Sequence, residues 1–126
     1  MYVIQKSRTI SDTIVLEDGE KSLKIEFSLD PTAIASSYWR LAGSLYFDRE
    51  KVRKDPSPEN LEALGKSFEA LMQIIFNAEN SKKIIDFYEG NYFHLLEDIY
   101  PYLVNEIFPK LREASRKKAK ELKRIR

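Results

Sequence analysis

The hydrophobic pattern of the first thirty residues has the period of β-structure. Between positions 23 and 29 apolar residues alternate with polar ones, the apolar positions being Leu23, Ile25, Phe27 and Leu29. This period-two alternation is typical of a strand with one buried face. The preceding run, 13–16, is β-branched and apolar and is also predicted to be a strand.

Asp18-Gly19, between the two runs, is a favoured two-residue hairpin turn. This turn places Ile14 opposite Leu23 and Ile10 opposite Phe27, so the apolar residues of both strands share one face. A two-stranded hairpin is marginal alone and must pack on a helix. Tyr2-Val3-Ile4 is a candidate third strand.

From Asp30-Pro31 the apolar period becomes helical. Asp30 is a good N-cap and proline suits the first helical position. One helical face follows at Ile34, Tyr38, Leu41 and Leu45. The helix should end near Lys54-Asp55, because Pro56 disfavours helix in the residue before it.

A second helix is predicted from Ser57 as N-cap and Pro58 as first residue, with a face formed by Leu61, Leu64, Phe68, Leu71 and Ile75. The residues 77–81 indicate a break, and a short helix over 82–89 should stop at Gly90-Asn91, a left-handed C-cap signal. We expect Gly43 and Gly65, inside helical patterns, to mark close helix packing.

The remainder, 92–126, has helical spacing but contains Pro101 and Pro109. Proline inside a helix removes a hydrogen bond and kinks the backbone. The sequence therefore predicts either two helices meeting near Phe108-Pro109 or one long helix bent at the prolines. Beyond Ala114 the apolar stripe thins, so the end of the chain is expected to lie outside the core.

Together these elements predict an α+β fold that is mainly α: an N-terminal β-hairpin followed by a bundle of four to five helices. The chain of 126 residues is long enough for one domain with a substantial core. We divide this domain, 1–126, into a β-hairpin region (1–29), a helical body (30–109) and a basic helical tail (110–126).

Charge is distributed unevenly along the chain. The tail has nine basic residues against Glu113 and Glu121, a balance of +7, whereas the whole chain is +1, so residues 1–109 carry −6. The basic residues are Lys110, Arg112, Arg116, Lys117, Lys118, Lys120, Lys123, Arg124 and Arg126. Such asymmetry concerns binding partners rather than the fold.

Composition argues against an enzyme and against a cofactor. There is no cysteine, so thiolate zinc sites and disulfides are excluded. His94 is the single histidine, and the neighbouring Glu97 and Asp98 are what chance gives in a chain one-third charged. The four glycines form no phosphate-binding loop. The amino terminus lacks the layout of a signal peptide and no apolar run approaches ~20 residues, which predicts a soluble cytoplasmic protein.

Aromatic residues are numerous, with seven Tyr, seven Phe and one Trp. Core packing accounts for many of them, but aromatic residues also supply most binding hot spots. The candidate partner-binding residues are Trp39, Tyr46, Tyr88, Tyr92 and Phe93.

The basic tail has three interpretations. It is a solvated helix end, whose cations the helix dipole favours, or an arm that docks on an acidic surface such as the body of a neighbouring copy. The third is a nucleic-acid contact, since the charge density suits phosphates although the tail has no aromatic residue for base stacking. Deleting 113–126 is expected to leave the fold intact while weakening self-association or the binding of a partner.

Four stretches of the second half carry a family resemblance: FNAEN at 76–80, IIDFYEGNY at 84–92, LLEDIYPY at 95–102 and IFPK at 107–110. They resemble the tail assembly chaperones of long-tailed (siphovirus-type) bacteriophages and prophages of Gram-positive bacteria. The initial hairpin, the amphipathic helices after Pro31 and the basic ending are similar in layout, so the likeness covers most of the chain.

The resemblance implies a mainly helical protein that acts in the host bacterial cytoplasm and is absent from the mature virion. Chaperones of this kind bind the helical tape measure protein, keep it soluble and help bring tail tube protein to it, and many also exist as a longer frameshifted product. The rival hypothesis is a small nucleic-acid-binding or regulatory protein that uses its basic C-terminal helix.

Overall fold

The computed structural model describes residues 1–4 and 9–124. An antiparallel hairpin is followed by helices that pack on one of its faces. The elements are β1 (Ile10–Asp18), β2 (Lys21–Leu29), α1 (Pro31–Lys54), α2 (Pro58–Phe76), α3 (Ala78–Phe87), α4 (Tyr92–Tyr102), a π-helical turn (Leu103–Ile107) and α5 (Phe108–Arg124). The predicted class, α+β and mainly α, is confirmed.

The hairpin forms, but its predicted register is wrong by two residues. Asp18 pairs with Lys21, so Gly19 and Glu20 are the turn residues, and Ile14 lies opposite Ile25 rather than Leu23. Ile10 correspondingly pairs with Leu29 instead of Phe27. Gly19 has φ +60, which is the glycine-first pattern of a type II′ turn and spares Asp18 a left-handed conformation. A shift of two preserves the face, so the apolar residues still share one side.

The candidate third strand is not observed. Tyr2, Val3 and Ile4 are exposed and lie outside any strand. Within the described ranges, the sheet contains β1 and β2 alone.

The ends of α1 and the start of α2 follow the predicted signals. The Asp30 side chain accepts hydrogen bonds from the backbone N–H groups of Thr32 and Ala33, and Ser57 accepts one from Asn60. Asn60 Nδ2 also donates to the Asp55 carbonyl oxygen at 2.8 Å. The turn between the two helices is therefore fixed from both sides.

The predicted break over 77–81 is too long, and the short helix begins earlier than expected. Asn77 alone separates α2 from α3, with φ 76 and ψ 169. Its side-chain oxygen accepts a hydrogen bond from the Asn80 N–H at 2.8 Å. Because the Asn77 side chain caps the next helix, one residue makes the connection. At the other end α3 stops at Phe87, followed by Glu89 and Gly90 with φ of 54 and 76.

The chain from Tyr92 to Arg124 is one continuous helical segment, as in the second of the two predicted alternatives. Its irregularity is the π-helical turn, in which the Phe108 N–H donates to the Leu103 carbonyl five residues earlier. Pro109 follows immediately. The π-helical turn is wider than an α-helical turn. It therefore accommodates the Pro109 ring, which would clash with the preceding turn of a regular α-helix.

The core lies between the apolar face of the hairpin and the helices. Phe27 of β2 packs edge-on against Phe76 of α2, with ring centroids 4.8 Å apart. Elsewhere in the core, Tyr38 of α1 packs against Phe108 of α5, with ring centroids 5.2 Å apart. Fully buried side chains between these contacts include Phe68, Leu71, Met72, Ile75, Ile84, Leu95, Leu103 and Ile107.

Candidate functional site

An apolar groove of about 650 Å³ opens at one end of the helical bundle. Its walls come from the end of α1, the first two turns of α2 and the start of α4. The lining residues are Val52, Pro56, Leu61, Glu62, Leu64, Gly65, Gly90, Asn91, Tyr92, Phe93 and Leu96. Its volume lies within the range of natural small-ligand pockets, but its position between helices also suits a helix laid into it.

The wall formed by α1 and α2 follows from the Pro56-Ser57-Pro58 turn. Pro56 ends α1 and Pro58 starts α2, so Val52 and Leu61 face the same space. Leu61 was predicted to lie on the core-facing side of its helix, yet 38% of its surface is exposed. Its exposure leaves a large apolar side chain available at the rim of the groove.

The opposite wall is formed by Tyr92 and Phe93 at the start of α4. Asn91 caps this helix by accepting a hydrogen bond from the His94 N–H at 3.1 Å. The hydroxyl of Tyr92 donates to Glu69 of α2 at 3.0 Å. Burial first, and the neighbouring Glu69 carboxylate second, raise the pKa of Tyr92. Tyr92 is thus a fixed wall, whereas Phe93 is 52% exposed.

The groove adjoins a more polar crevice of about 420 Å³, lined by Arg49, Glu50, Val52, Arg53, Leu64 and Leu96. Arg49 donates to the Tyr100 hydroxyl at 3.0 Å and lies over the Tyr100 ring, 4.7 Å from its centroid. Arg53 pairs with Glu50 at 3.5 Å. The groove is therefore apolar in its floor and flanked by charged side chains at one end.

Trp39 and Tyr46 lie elsewhere, on the solvent side of α1. They are 52% and 65% exposed, and Phe47 beside them is 61% exposed. We call Trp39, Tyr46 and Phe47 the aromatic face of α1. At 100° per residue this face points away from Val52 and the groove. Phe47 is not among the partner-binding residues predicted from the sequence, although its position directly after Tyr46 indicates the same exposed side of the helix.

Tyr88 belongs to neither surface. It is half-buried, and its hydroxyl donates to Asp98 at 2.9 Å. Burial first, and the hydrogen bond to Asp98 second, raise the pKa of Tyr88. Its observed contacts tie the end of α3 to α4.

The basic tail forms the end of α5. Leu111 is the last buried residue of the described chain, and every residue from Arg116 to Arg124 is exposed. This agrees with the expectation that the chain beyond Ala114 lies outside the core, whereas Leu111 of the tail belongs to it. Arg126 falls outside the described residues. Lys117 pairs with Glu113 at 3.3 Å, one turn earlier on the same helix.

Comparison with known proteins gives no significant match to a family model, a curated protein or a solved structure. The resemblance to tail assembly chaperones therefore stays a prediction. Among the described residues, the helices are all too short or too polar to cross a bilayer.

Proposed function

We propose that this protein is an assembly chaperone that holds an apolar helical segment of a client protein in the groove between α1, α2 and α4. The observation that carries the proposal is the groove itself, with Leu61 and Phe93 exposed at its rim and Tyr92 fixed as its wall. A helix with an apolar stripe is the occupant that a groove between helices recognises.

The sequence resemblance supplies the identity of the client. By that resemblance the client is the helical tape measure protein of a long-tailed phage or prophage, and tail tube protein is a further partner. The protein then acts in the cytoplasm of the host bacterium and is not retained in the virion. A long apolar helix needs such a holder because exposed apolar stripes associate in water.

A labelled helical peptide tests the groove directly. The probe is an uncharged peptide of about five turns with leucine at positions i, i+3, i+4 and i+7, and binding is followed by fluorescence anisotropy. We expect Phe93→Glu to weaken binding at least tenfold, because it places a charge in an apolar contact. Phe47→Glu is the matched control, since Phe47 is equally aromatic and exposed but lies off the groove.

The assignment of the groove would be contradicted if both substitutions weakened peptide binding equally, or if neither substitution weakened it. The client is tested by co-expression with the tape measure protein of the phage or prophage that encodes this chain. We expect soluble tape measure protein with the wild-type chain and with Phe47→Glu, and aggregated protein with Phe93→Glu.

The basic tail favours a second candidate function, binding to nucleic acid. Six exposed Lys and Arg side chains occupy 116–124 of α5 against Glu121 alone. Contacts to phosphate release counterions, so affinity for a DNA or RNA duplex should fall steeply with salt. Binding of the uncharged peptide should change little over the same salt range, which separates the two functions.

A further inference from the structure

The last helix extends past the helix on which it packs. Phe108 of α5 lies against Tyr38 in the first half of α1. Ten residues later, Lys118 lies within electrostatic range of Asp30, the N-cap of α1. Hydrogen bonds from Thr32 are the main reason why the pKa of Asp30 is lowered, and the charge of Lys118 adds to them. The two helices are therefore antiparallel, and α5 continues beyond the start of α1.

This continuation carries an apolar residue whose side chain is largely exposed. Leu122 follows Leu111, Ser115 and Lys118 on one side of α5, which is the side packed on α1 earlier in the helix. Leu122 is 59% exposed. The segment 116–124 is thus a short helix with a net charge of +5 and an exposed leucine, on the side of α5 that packs on α1 earlier in the helix.

The groove of the same molecule is out of reach of this segment. Val52 of the groove lies 22 residues along α1 from Asp30, which is roughly 33 Å at the rise of an α-helix. Leu122 lies beyond Asp30 in the opposite direction. An occupant of the groove that comes from α5 must therefore belong to another copy of the chain.

Charge at the groove matches this occupant. The α4 wall belongs to a stretch of the chain, 84–109, that contains five acidic residues and no Lys or Arg. Glu62 of α2 also lines the groove and pairs with Lys66 at 3.2 Å. The basic side chains at the end of α1 are partly compensated, since Arg53 pairs with Glu50.

We infer that residues 116–124 of one copy dock in the groove of a second copy, with Leu122 against Leu61 and Phe93. This inference rests on the proposed function, because both require that the groove accepts an amphipathic helix. Because the groove and the segment lie at opposite ends of the molecule, the contact joins two different surfaces. A pair of copies therefore still has one unoccupied groove and one undocked segment. Such a contact builds an open head-to-tail chain, and a client helix competes with it for each groove.

Two complementary variants test the inference. A chain ending at Ser115 keeps the groove and lacks the segment, and the Phe93→Glu chain keeps the segment and has an impaired groove. Sedimentation velocity should show wild-type mass rising with concentration, and each variant alone as a monomer. An equimolar mixture should form a heterodimer and nothing larger, because each variant retains one half of the contact.

Leu122→Gln preserves the charge of the segment and should weaken wild-type association at least tenfold. Glu121→Gln, on the neighbouring side of the same turn, is the control and should not weaken it. Circular dichroism establishes that each variant is folded. A wild-type chain that stays monomeric, a truncated chain that still associates, or a mixture without heterodimer would overturn the inference.

Peptide binding by the truncated chain separates this inference from the proposed function. If the truncated chain binds the leucine peptide but the mixture forms no heterodimer, the self-association is wrong and the client groove stands. If the truncated chain binds no peptide and no heterodimer forms, both proposals fail together.

Discussion

Tyr92 occupies the space that a side chain at Gly65 would fill. A Cβ atom on Gly65 would lie 3.0 Å from Cγ and 3.1 Å from Cβ of Tyr92. The hydroxyl end of the same tyrosine is held by Glu69, one turn further along α2. The glycine therefore sets how closely α4 approaches α2, and with it the position of one wall of the groove.

We predict that Gly65→Ala destabilises the protein by about 1–3 kcal/mol, the usual cost of an added methyl group in a packed site. The methyl group would force Tyr92, which Glu69 holds at its hydroxyl end, to shift by a few tenths of an ångström. We expect this strain to exceed the gain of about 1 kcal/mol that alanine brings inside a helix. Urea unfolding measures the free-energy change. Binding of the leucine peptide should weaken as well, because Tyr92 lines the groove.

Gly43→Ala is the control for this prediction. A Cβ atom on Gly43 would meet nothing within 4 Å, so the expectation that this glycine marks close packing is wrong. It lies on the exposed side of α1, where alanine should stabilise the helix by up to about 1 kcal/mol. Equal effects of the two substitutions would show that the Gly65–Tyr92 contact is not tight.

The element boundaries could be predicted from the sequence wherever a local signal fixes them. Asp30-Pro31 and Ser57-Pro58 start their helices as expected, and Pro56 ends α1. The hairpin register could not be predicted with the same accuracy, because Asp18-Gly19 and Gly19-Glu20 are both plausible turns. The π-helical turn before Pro109 depends on how one continuous helix packs, which the pattern of proline residues alone does not specify.

The groove could be predicted only in part. Tyr92 and Phe93 were singled out as contact residues, and both line it. Val52 and Leu61 were not, because Phe93 follows them by 41 and 32 positions in the chain, and their meeting is a property of the tertiary fold. Helical periodicity also placed Leu61 with the core residues. Periodicity shows which side of a helix is apolar, but it does not show where the neighbouring helix that covers this side ends.

Asn77 connects α2 to α3 in a conformation that normally requires glycine. Its φ of 76 and ψ of 169 cost an ordinary side chain about 1–3 kcal/mol, while its side chain caps α3. We predict that Asn77→Gly stays within about 1 kcal/mol of wild type, since the lost cap is offset by relief of strain. Asn77→Ala loses the cap without that relief, and thermal unfolding should show it to be clearly less stable. Equal stability of the two variants would argue against the positive φ.

Ser81 has a buried hydroxyl group with no hydrogen-bond partner among the described residues. It is 1% exposed. A buried polar group without a partner costs roughly 1–3 kcal/mol. We therefore predict that Ser81→Ala is neutral or stabilises the protein by about 1 kcal/mol in urea unfolding.

Ser67→Ala provides the contrast for this substitution. The Ser67 hydroxyl donates to the Asp48 carboxylate, and hydrogen bonds to charged groups contribute about 1.5–3 kcal/mol. Its removal should therefore destabilise the protein. A clear loss of stability in Ser81→Ala would instead indicate that the buried hydroxyl is satisfied.

Alkaline pH should unfold the protein through its tyrosine–carboxylate pairs. Tyr88, Tyr92 and Tyr102 donate to Asp98, Glu69 and Asp12 at 2.9, 3.0 and 2.6 Å. Burial, followed by the accepting carboxylate, raises the pKa of all three phenols above the ordinary value of 10.0. The unfolded chain therefore releases these protons at a lower pH than the folded chain does.

The stability that these groups contribute is complete below about pH 10 and falls as pH rises toward the folded-state pKa values, by at most about 1.4 kcal/mol per pH unit and per group. Tyrosinate absorbance should rise in two stages, the second coinciding with the loss of the circular dichroism signal. Tyr102→Phe should reduce the amplitude of the second stage, because it removes one late-titrating phenol. A single ionisation stage of all tyrosines near pH 10, with native circular dichroism retained, would contradict the raised pKa values and the burial on which they depend.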